Sequence, residues 1–435
     1  MNILYLAHRL PYPPNKGDKL RAFRHLDHLD KQHRVWCACF MDDARDAGHA
    51  AALRTHCHEL TVVPLGRLNA LSRGATSMAL GGTVTHGYYD SPAMWRVLRG
   101  WSRRVRFDVV IAFSSSMAPY ARSIDAGRRV LDLCDLDSGK WREYAGLSRS
   151  PLSLLYDIEA RRLARFEREC VDSFEAVTVI TTAEAEELAQ DVPPGRVCVV
   201  TNGVDIPGAA ADRLKCREAV ASGFIPGATF GKVPTIGFVG VMDYRPNVDG
   251  VCWFVAECWS RIRDAYPGAV FRIAGRNPTR KVRRLTRTPG VQVIGEVSDV
   301  AVELRHFDIS IAPLRIARGL QNKVLEAMAA GLPVIVSEKA AKGIAAVDGQ
   351  DYLVARSSRQ FVDQTVRLLC DPLERQRIGE NAQRFVAAHH SWPEALRRFE
   401  FITTGVVENS MPRGPSTAGT MHDQHQPTVN TSGPC

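Results

Sequence analysis

Two successive series of short apolar runs, each interleaved with helical patterns, constrain this chain more than any other feature. In the first series Ile3–Ala7, Val35–Phe40, Leu60–Pro64, Val109–Phe113, Val130–Leu133, Val177–Ile180 and Val197–Val200 read as strands, with Leu20–Leu29 and Leu154–Val171 among the helices between them. The runs are predominantly apolar and alternate along the chain with helical patterns. That pattern belongs to strands covered on both faces, so a parallel sheet flanked by helices is expected. The series pauses over Asn202–Val233, where Asn202-Gly203, further Gly and Pro, and mixed charge suggest a linker. A second series follows: strands Thr235–Val239, Val270–Ala274, Val291–Ile294, Ile309–Ala312 and Val334–Val336, with helices Val248–Ala265 and Asn322–Ala330. The expected fold class is α/β, two Rossmann-like doubly wound domains facing across a cleft. The divisions are 1–201, a linker at 202–233, 234–388, a C-terminal helical stretch at 389–404, and a tail at 405–435 with almost no apolar content, expected to be disordered.

With 435 residues the chain is long enough for two cores. Its formal net charge of +9 favours anionic ligands or surfaces without choosing among them. Eleven Cys without a CxxC pair fit free thiols in a reducing compartment better than a zinc site. The brief apolar start, Ile3–Ala7, meets His8, Arg9 and Pro11 too soon for a signal peptide. No apolar stretch has the length of a membrane span, so a cytoplasmic location is expected, with any membrane contact peripheral. The dispersed Trp and His residues give no support to nucleic-acid binding.

The most informative segment is Ala312–Val334. A strand ends near Pro313, a polar loop carries Gly319, and a short helix runs to Gly331 and Pro333. Free backbone N–H groups at such a helix start can hold a diphosphate. Arg318 and Lys323 supply positive charge beside it, which a departing diphosphate needs as negative charge grows on its bridging oxygen. Glu326, one turn on from Lys323, can accept hydrogen bonds from ribose hydroxyls. Arg276 and Asn277 follow the strand Val270–Ala274 directly and are candidates for phosphate contact. Gly240, in the turn Gly237–Asn247, would permit close approach of a ligand, with Arg245 nearby. In the first domain, Pro11–Lys19 contains only Gly17 where a dinucleotide site would want three glycines, which argues against NAD. Asp132, Asp135 and Asp137 could suggest a divalent metal, but strand alternation does not put all three on one side, so no metal ligands are assigned. Asp135 alone is expected to face the cleft, where it could orient an acceptor hydroxyl or stabilise positive charge on a sugar ring.

Gly319–Pro333, together with the two α/β halves, resembles the retaining two-domain glycosyltransferases of the GT-B fold, over nearly all of residues 1–404. Pro11–Lys19, Asp135–Ser138 with Lys140-Trp141, Gly240–Asn247, Gly275–Pro278 and Arg315–Ala329 look closer still to a subgroup associated with exopolysaccharide and exosortase-linked systems. The resemblance implies that the C-terminal domain binds a UDP- or GDP-sugar donor without a metal or cofactor. The acceptor would then be a polysaccharide repeat or glycolipid on the N-terminal side. It places Glu326 on the ribose, Gly319, Gln321 and Asn322 against the donor sugar and phosphates, and Gly17 across the cleft. The helix at Pro393–Thr403 would return to the first domain. Three departures from the family pattern involve four positions. Arg318 stands where a first glutamate is usual, Val241 and Asn247 stand where Arg and Lys are usual, and Asp135 stands where many members have His. Two other readings share the layout: a non-hydrolysing nucleotide-sugar epimerase and an inactive nucleotide-sugar-binding scaffold.

Overall fold

A computed structural model describes residues 1–14, 17–147, 152–189, 192–193, 195–206, 233–317 and 319–405. The first series of apolar runs forms one seven-stranded sheet. Its strands are β1 (Asn2–Ala7), β2 (Arg34–Met41), β3 (Glu59–Pro64), β4 (Phe107–Phe113), β5 (Ala126–Cys134), β6 (Ala176–Val179) and β7 (Val197–Val199), in the order β3-β2-β1-β4-β5-β6-β7. The second series forms a six-stranded sheet in the order β10-β9-β8-β11-β12-β13. These strands are β8 (Thr235–Val239), β9 (Val270–Ala274), β10 (Val291–Gly295), β11 (Ile309–Ala312), β12 (Val334–Ser337) and β13 (Leu353–Ala355). Every strand pairing is parallel. Residues on both faces are buried, as the predominantly apolar runs require: β1 packs Leu4 and Leu6 into one cluster and Ile3 and Tyr5 into another.

The helices used below are α1 (Gly17–Leu29), α2 (Arg67–Ala79), α3 (Val84–Tyr89), α4 (Asp137–Leu147), α5 (Leu152–Ser173), α6 (Thr182–Leu188), α7 (Arg245–Phe254), α8 (Asn322–Ala329), α9 (Pro372–His389) and α10 (Trp392–Thr404). The expected C-terminal helix is α10, and it does pack on the first domain. Phe399 stacks on His25 of α1 at 3.6 Å between ring centroids, and Phe399 and Ile402 belong to the core cluster that contains β1. Burying two such side chains contributes on the order of 4 kcal/mol. The chain also crosses between domains at Val204, which bridges to Ser391, with Arg24 of α1 paired to Asp205. Most of the expected linker, 207–232, and the tail from 406 lie outside the described residues.

Both sheets reverse their winding direction once, between β1 and β4 and between β8 and β11. In doubly wound sheets the crevice beyond the carboxyl ends of the strands at such a reversal is the ligand site. In the second sheet that crevice is bounded by the turn after β8 (Gly240–Tyr244) and the segment after β11, from Pro313 to α8. No helix among the described residues is long and apolar enough to cross a membrane. The nine cysteines among them are free.

Candidate active site

The turn after β8 is the hub of the site. Gly275 has φ +149°, and a Cβ there would fall 1.7 Å from the Gly240 carbonyl oxygen, so only glycine allows these two backbones to meet. The Arg276 carbonyl then accepts from Met242 N–H at 2.8 Å, and the Asn277 side chain, at φ +55°, donates to Asp243 at 3.1 Å. Sequence reasoning placed Gly240, Arg276 and Asn277 near a ligand separately, and the structure joins them through this turn. The Arg276 Nε is buried and has no hydrogen-bond partner among the described residues. Arg245 opens α7 and is exposed.

Asn247, which sequence reasoning treated only as a missing base, has a definite role in the hub. It is buried, its Nδ2 donates to the Val241 carbonyl at 2.9 Å, and its Oδ1 accepts from Lys323 Nζ at 2.8 Å. The same ammonium lies 5.5 Å from the centre of the Phe238 ring. Lys323, from the first turn of α8, therefore delivers its charge to the place where Asn247 has none. Burial pulls the Lys323 pKa down to about 8, against the opposing pull of Glu326. Burial pushes the Glu326 carboxyl up to about 7, with Lys323 opposing and Asp205 adding to the rise. The fold thus holds an ammonium and a carboxylate near their ionisation midpoints at neutral pH, which is characteristic of sites built to meet a charged ligand.

The first domain closes over α8 from the other side. Asn202 Nδ2 donates to Asn322 Oδ1 at 3.2 Å, and a Cβ on Gly17 would come within 3.1 Å of the Asn322 amide. Gly319, at φ +63°, lies so close to Asp135 that a Cβ there would meet Asp135 Oδ1 at 2.2 Å. Two close approaches therefore cross between the domains, Gly17 with Asn322 and Asp135 with Gly319. Gln321 stands at the N-terminal boundary position of α8. Arg318 lies outside the described residues. Alongside these contacts a cavity of about 410 Å³ opens between the domains, lined by Arg142 and Glu187 on one side and Gly319, Lys339 and Lys342 on the other.

The three aspartates of the β5 loop point to three different partners. Asp132 is buried and takes a bidentate pair from Arg21, at 2.8 and 3.1 Å, while Arg21 Nη1 reaches the Val200 carbonyl and Asn202 Oδ1. Asp137 accepts from Ser115 Oγ at 2.6 Å. Asp135 alone is exposed toward the second domain. Two buried carboxylates hold the loop's backbone: Glu184 accepts from Leu136 N–H and Glu167 from Ser138 N–H. Asn202, Asp205, Glu167 and Glu184 were missed as contributors because their contacts span 29 to 181 residues along the chain.

Two family descriptions match this architecture, one on each side of the linker. A glycosyl transferase 4-like domain covers 19–203, and glycosyl transferases group 1 covers 233–371. The chain belongs to the GT-B glycosyltransferases. Solved structures share its fold: Anabaena HepE in complex with UDP superposes with TM-score 0.64 at 14% identity, covering 93% of this chain and 100% of that one. Sucrose-phosphate synthase from Thermosynechococcus elongatus gives 0.64 at 15% identity, over 92% and 98%. A curated relative, glycosyltransferase 1 domain-containing protein 1 of Xenopus tropicalis, is 29% identical over 147 residues, which is 32% of this chain and 42% of the relative. The chain thus matches less than half of that relative's length.

Proposed function

We propose that this GT-B glycosyltransferase moves a hexose from a UDP- or GDP-sugar to a polysaccharide-repeat or glycolipid acceptor, with retention of anomeric configuration. The observation that carries the reading is the Lys323–Asn247 contact at the winding reversal of the second sheet, with Glu326 one turn along α8 and Asp135 facing Gly319 from the first domain. In this reading Glu326 accepts the ribose hydroxyls. Lys323 and Arg276, with Arg245 and Asn277 at the rim and Arg318 assigned from sequence alone, take up the charge of the departing diphosphate. Gly240, Gly319, Gln321 and Asn322 bring backbone and amide groups against the phosphates and sugar, and Gly17 closes from the other domain. Asp135 stabilises positive charge at the anomeric carbon. The acceptor hydroxyl attacks from the face the diphosphate leaves, and a leaving phosphate oxygen takes its proton, so no separate strong base is required. The UDP and UDP-glucose complexes of Anabaena HepE support the choice of donor class.

The test is a donor panel of UDP- and GDP-hexoses incubated with host lipid extract. Products are followed by mass spectrometry, and their anomeric configuration is read by NMR. A new glycolipid with the donor's anomeric configuration is expected. An epimerised donor formed without acceptor would replace this reading with the epimerase. Binding without turnover under any acceptor would leave a nucleotide-sugar scaffold.

A further inference from the structure

Thirteen large hydrophobic side chains are exposed among the described residues, and six of them come from two neighbouring segments of the first domain. Leu68 (83% exposed) and Leu71 lie on α2, Leu80 (82% exposed) follows its end, and Leu152, Leu154 and Leu155 open α5. The segments touch. Arg162 of α5 donates to the carbonyls of Met78 and Gly82 at 2.9 and 2.5 Å, and Glu159 accepts from Val84 and Thr85 N–H at the start of α3. Leu152 and Leu155 precede Glu159 by seven and four residues, so they continue the same face of α5 one and two turns beyond that contact. On α2, Leu68, Leu71, Ser72, Ala75 and Ala79 are all exposed and fall within one side of the helix, which turns Ala70 and Gly74 inward.

The charge around this surface is one-sided. Leu60–Tyr89 contains no Asp or Glu, while Arg67 and Arg73 lie on α2 itself. Arg67 is exposed at the edge of the apolar side, and Arg73 is tied to the Tyr88 carbonyl at 3.2 Å. Arg161 and Arg165 project further along α5, each paired with a carboxylate of its own helix. The whole chain carries a formal net charge of +9. On α2 an apolar helix side with Arg67 at its edge, in a segment that contains no carboxylate, matches an interface of acyl chains beneath anionic headgroups. A second copy of the chain fits less well, because it would set arginines against arginines.

We infer that α2, with the start of α5, is a docking surface for an anionic lipid bilayer, entered by Leu68, Leu71 and Leu80. The inference does not depend on the transfer reaction, because it concerns a surface and not the cleft. Its test is sedimentation of the full chain with vesicles of phosphatidylcholine alone or with phosphatidylglycerol. The parent is expected to pellet with the anionic vesicles several-fold more strongly than with neutral ones, and less as salt rises. Leu68→Ser/Leu71→Ser/Leu80→Ser should lower the partition coefficient at least tenfold, with unchanged circular dichroism and unchanged affinity for UDP-glucose. Leu373→Ser, which removes a leucine of the second domain that is 74% exposed, should bind vesicles as the parent does. A parent that ignores anionic vesicles, or a triple variant that binds them like the parent, overturns the inference. A parent dimer that the triple variant converts to monomer also overturns it and assigns the face to a second copy.

Discussion

Replacing Lys323 by Met keeps the length of the side chain and removes its charge, which isolates what the ammonium does. The charge is held at a cost: burial has brought its pKa from 10.5 to about 8, and a neutral acceptor, Asn247 Oδ1, faces it at 2.8 Å. A donor diphosphate would supply the missing counter-charge. A charge-assisted hydrogen bond of this kind contributes roughly 1.5–3 kcal/mol, so the variant should bind UDP-glucose about 10- to 150-fold more weakly. Because Lys323 must be charged and Glu326 must be ionised, affinity should peak between their midpoints, about 7 and about 8. The two groups sit one helical turn apart, so the limbs report the pair rather than either residue alone. Lys323→Met should abolish the alkaline limb and Glu326→Gln the acid one. Stability should move oppositely to binding. The unfolded lysine keeps its proton up to about 10.5 and the folded one loses it near 8, so the empty parent should gain stability as pH rises across that interval. Lys323→Met should lose this slope and melt no lower than the parent at pH 7. Isothermal titration with UDP-glucose, whose diphosphate diester carries a fixed charge over this range, and thermal melts measure both. A variant that binds within twofold of the parent, or a profile whose two limbs survive both substitutions, would refute the assignment of Lys323 to the diphosphate.

Gly319→Ala places a Cβ 2.2 Å from Asp135 Oδ1 on a backbone at φ +63°, so turnover should fall about tenfold and the melting temperature by a few degrees, from a backbone penalty of roughly 1–2 kcal/mol. Asp135→Asn should reduce kcat about 100-fold while leaving UDP-glucose affinity and thermal stability near the parent's, since the side chain is exposed and, in the proposed reaction, would face the sugar rather than the nucleotide. Arg318→Ala should lower turnover far more than it changes folding, which parallel kinetics and melts compare. Glu167 is raised by burial from 4.5 to about 7, so the folded chain keeps a proton there that the unfolded chain has lost; stability should fall on the order of 3 kcal/mol as pH rises through that window, and Glu167→Gln should flatten the slope in denaturant titrations.

What the sequence made legible follows from where the determining interactions lie. The parallel strands were readable because burial on both faces writes itself into consecutive Val, Ile and Leu residues. β13 was not, since Leu353–Ala355 is too short to stand out. α7 begins at Arg245 and not at Val248, because Pro246 occupies the first turn, where its missing N–H costs nothing, although in the sequence it resembles a stop. Gly319, Asn322, Lys323 and Glu326 were found together because one loop and one helix turn carry them all. The Asn247–Lys323 contact spans 76 residues and exists only because the β8 and β11 ends adjoin at the winding reversal. Strand alternation was likewise a poor guide beyond Asp132. Cys134 adopts φ +62°, and this turn of the backbone directs Asp135 to the second domain and leaves Asp132 with Arg21 in the core. Breaking that buried pair would cost roughly 3–5 kcal/mol. Arg21 also holds Val200 and Asn202, and Asn202 in turn reaches Asn322 at the start of α8. The first domain's core is therefore coupled to the start of α8 through two hydrogen-bonded residues, and at Asn247, where the family resemblance implies a basic residue, Lys323 from α8 already supplies the charge.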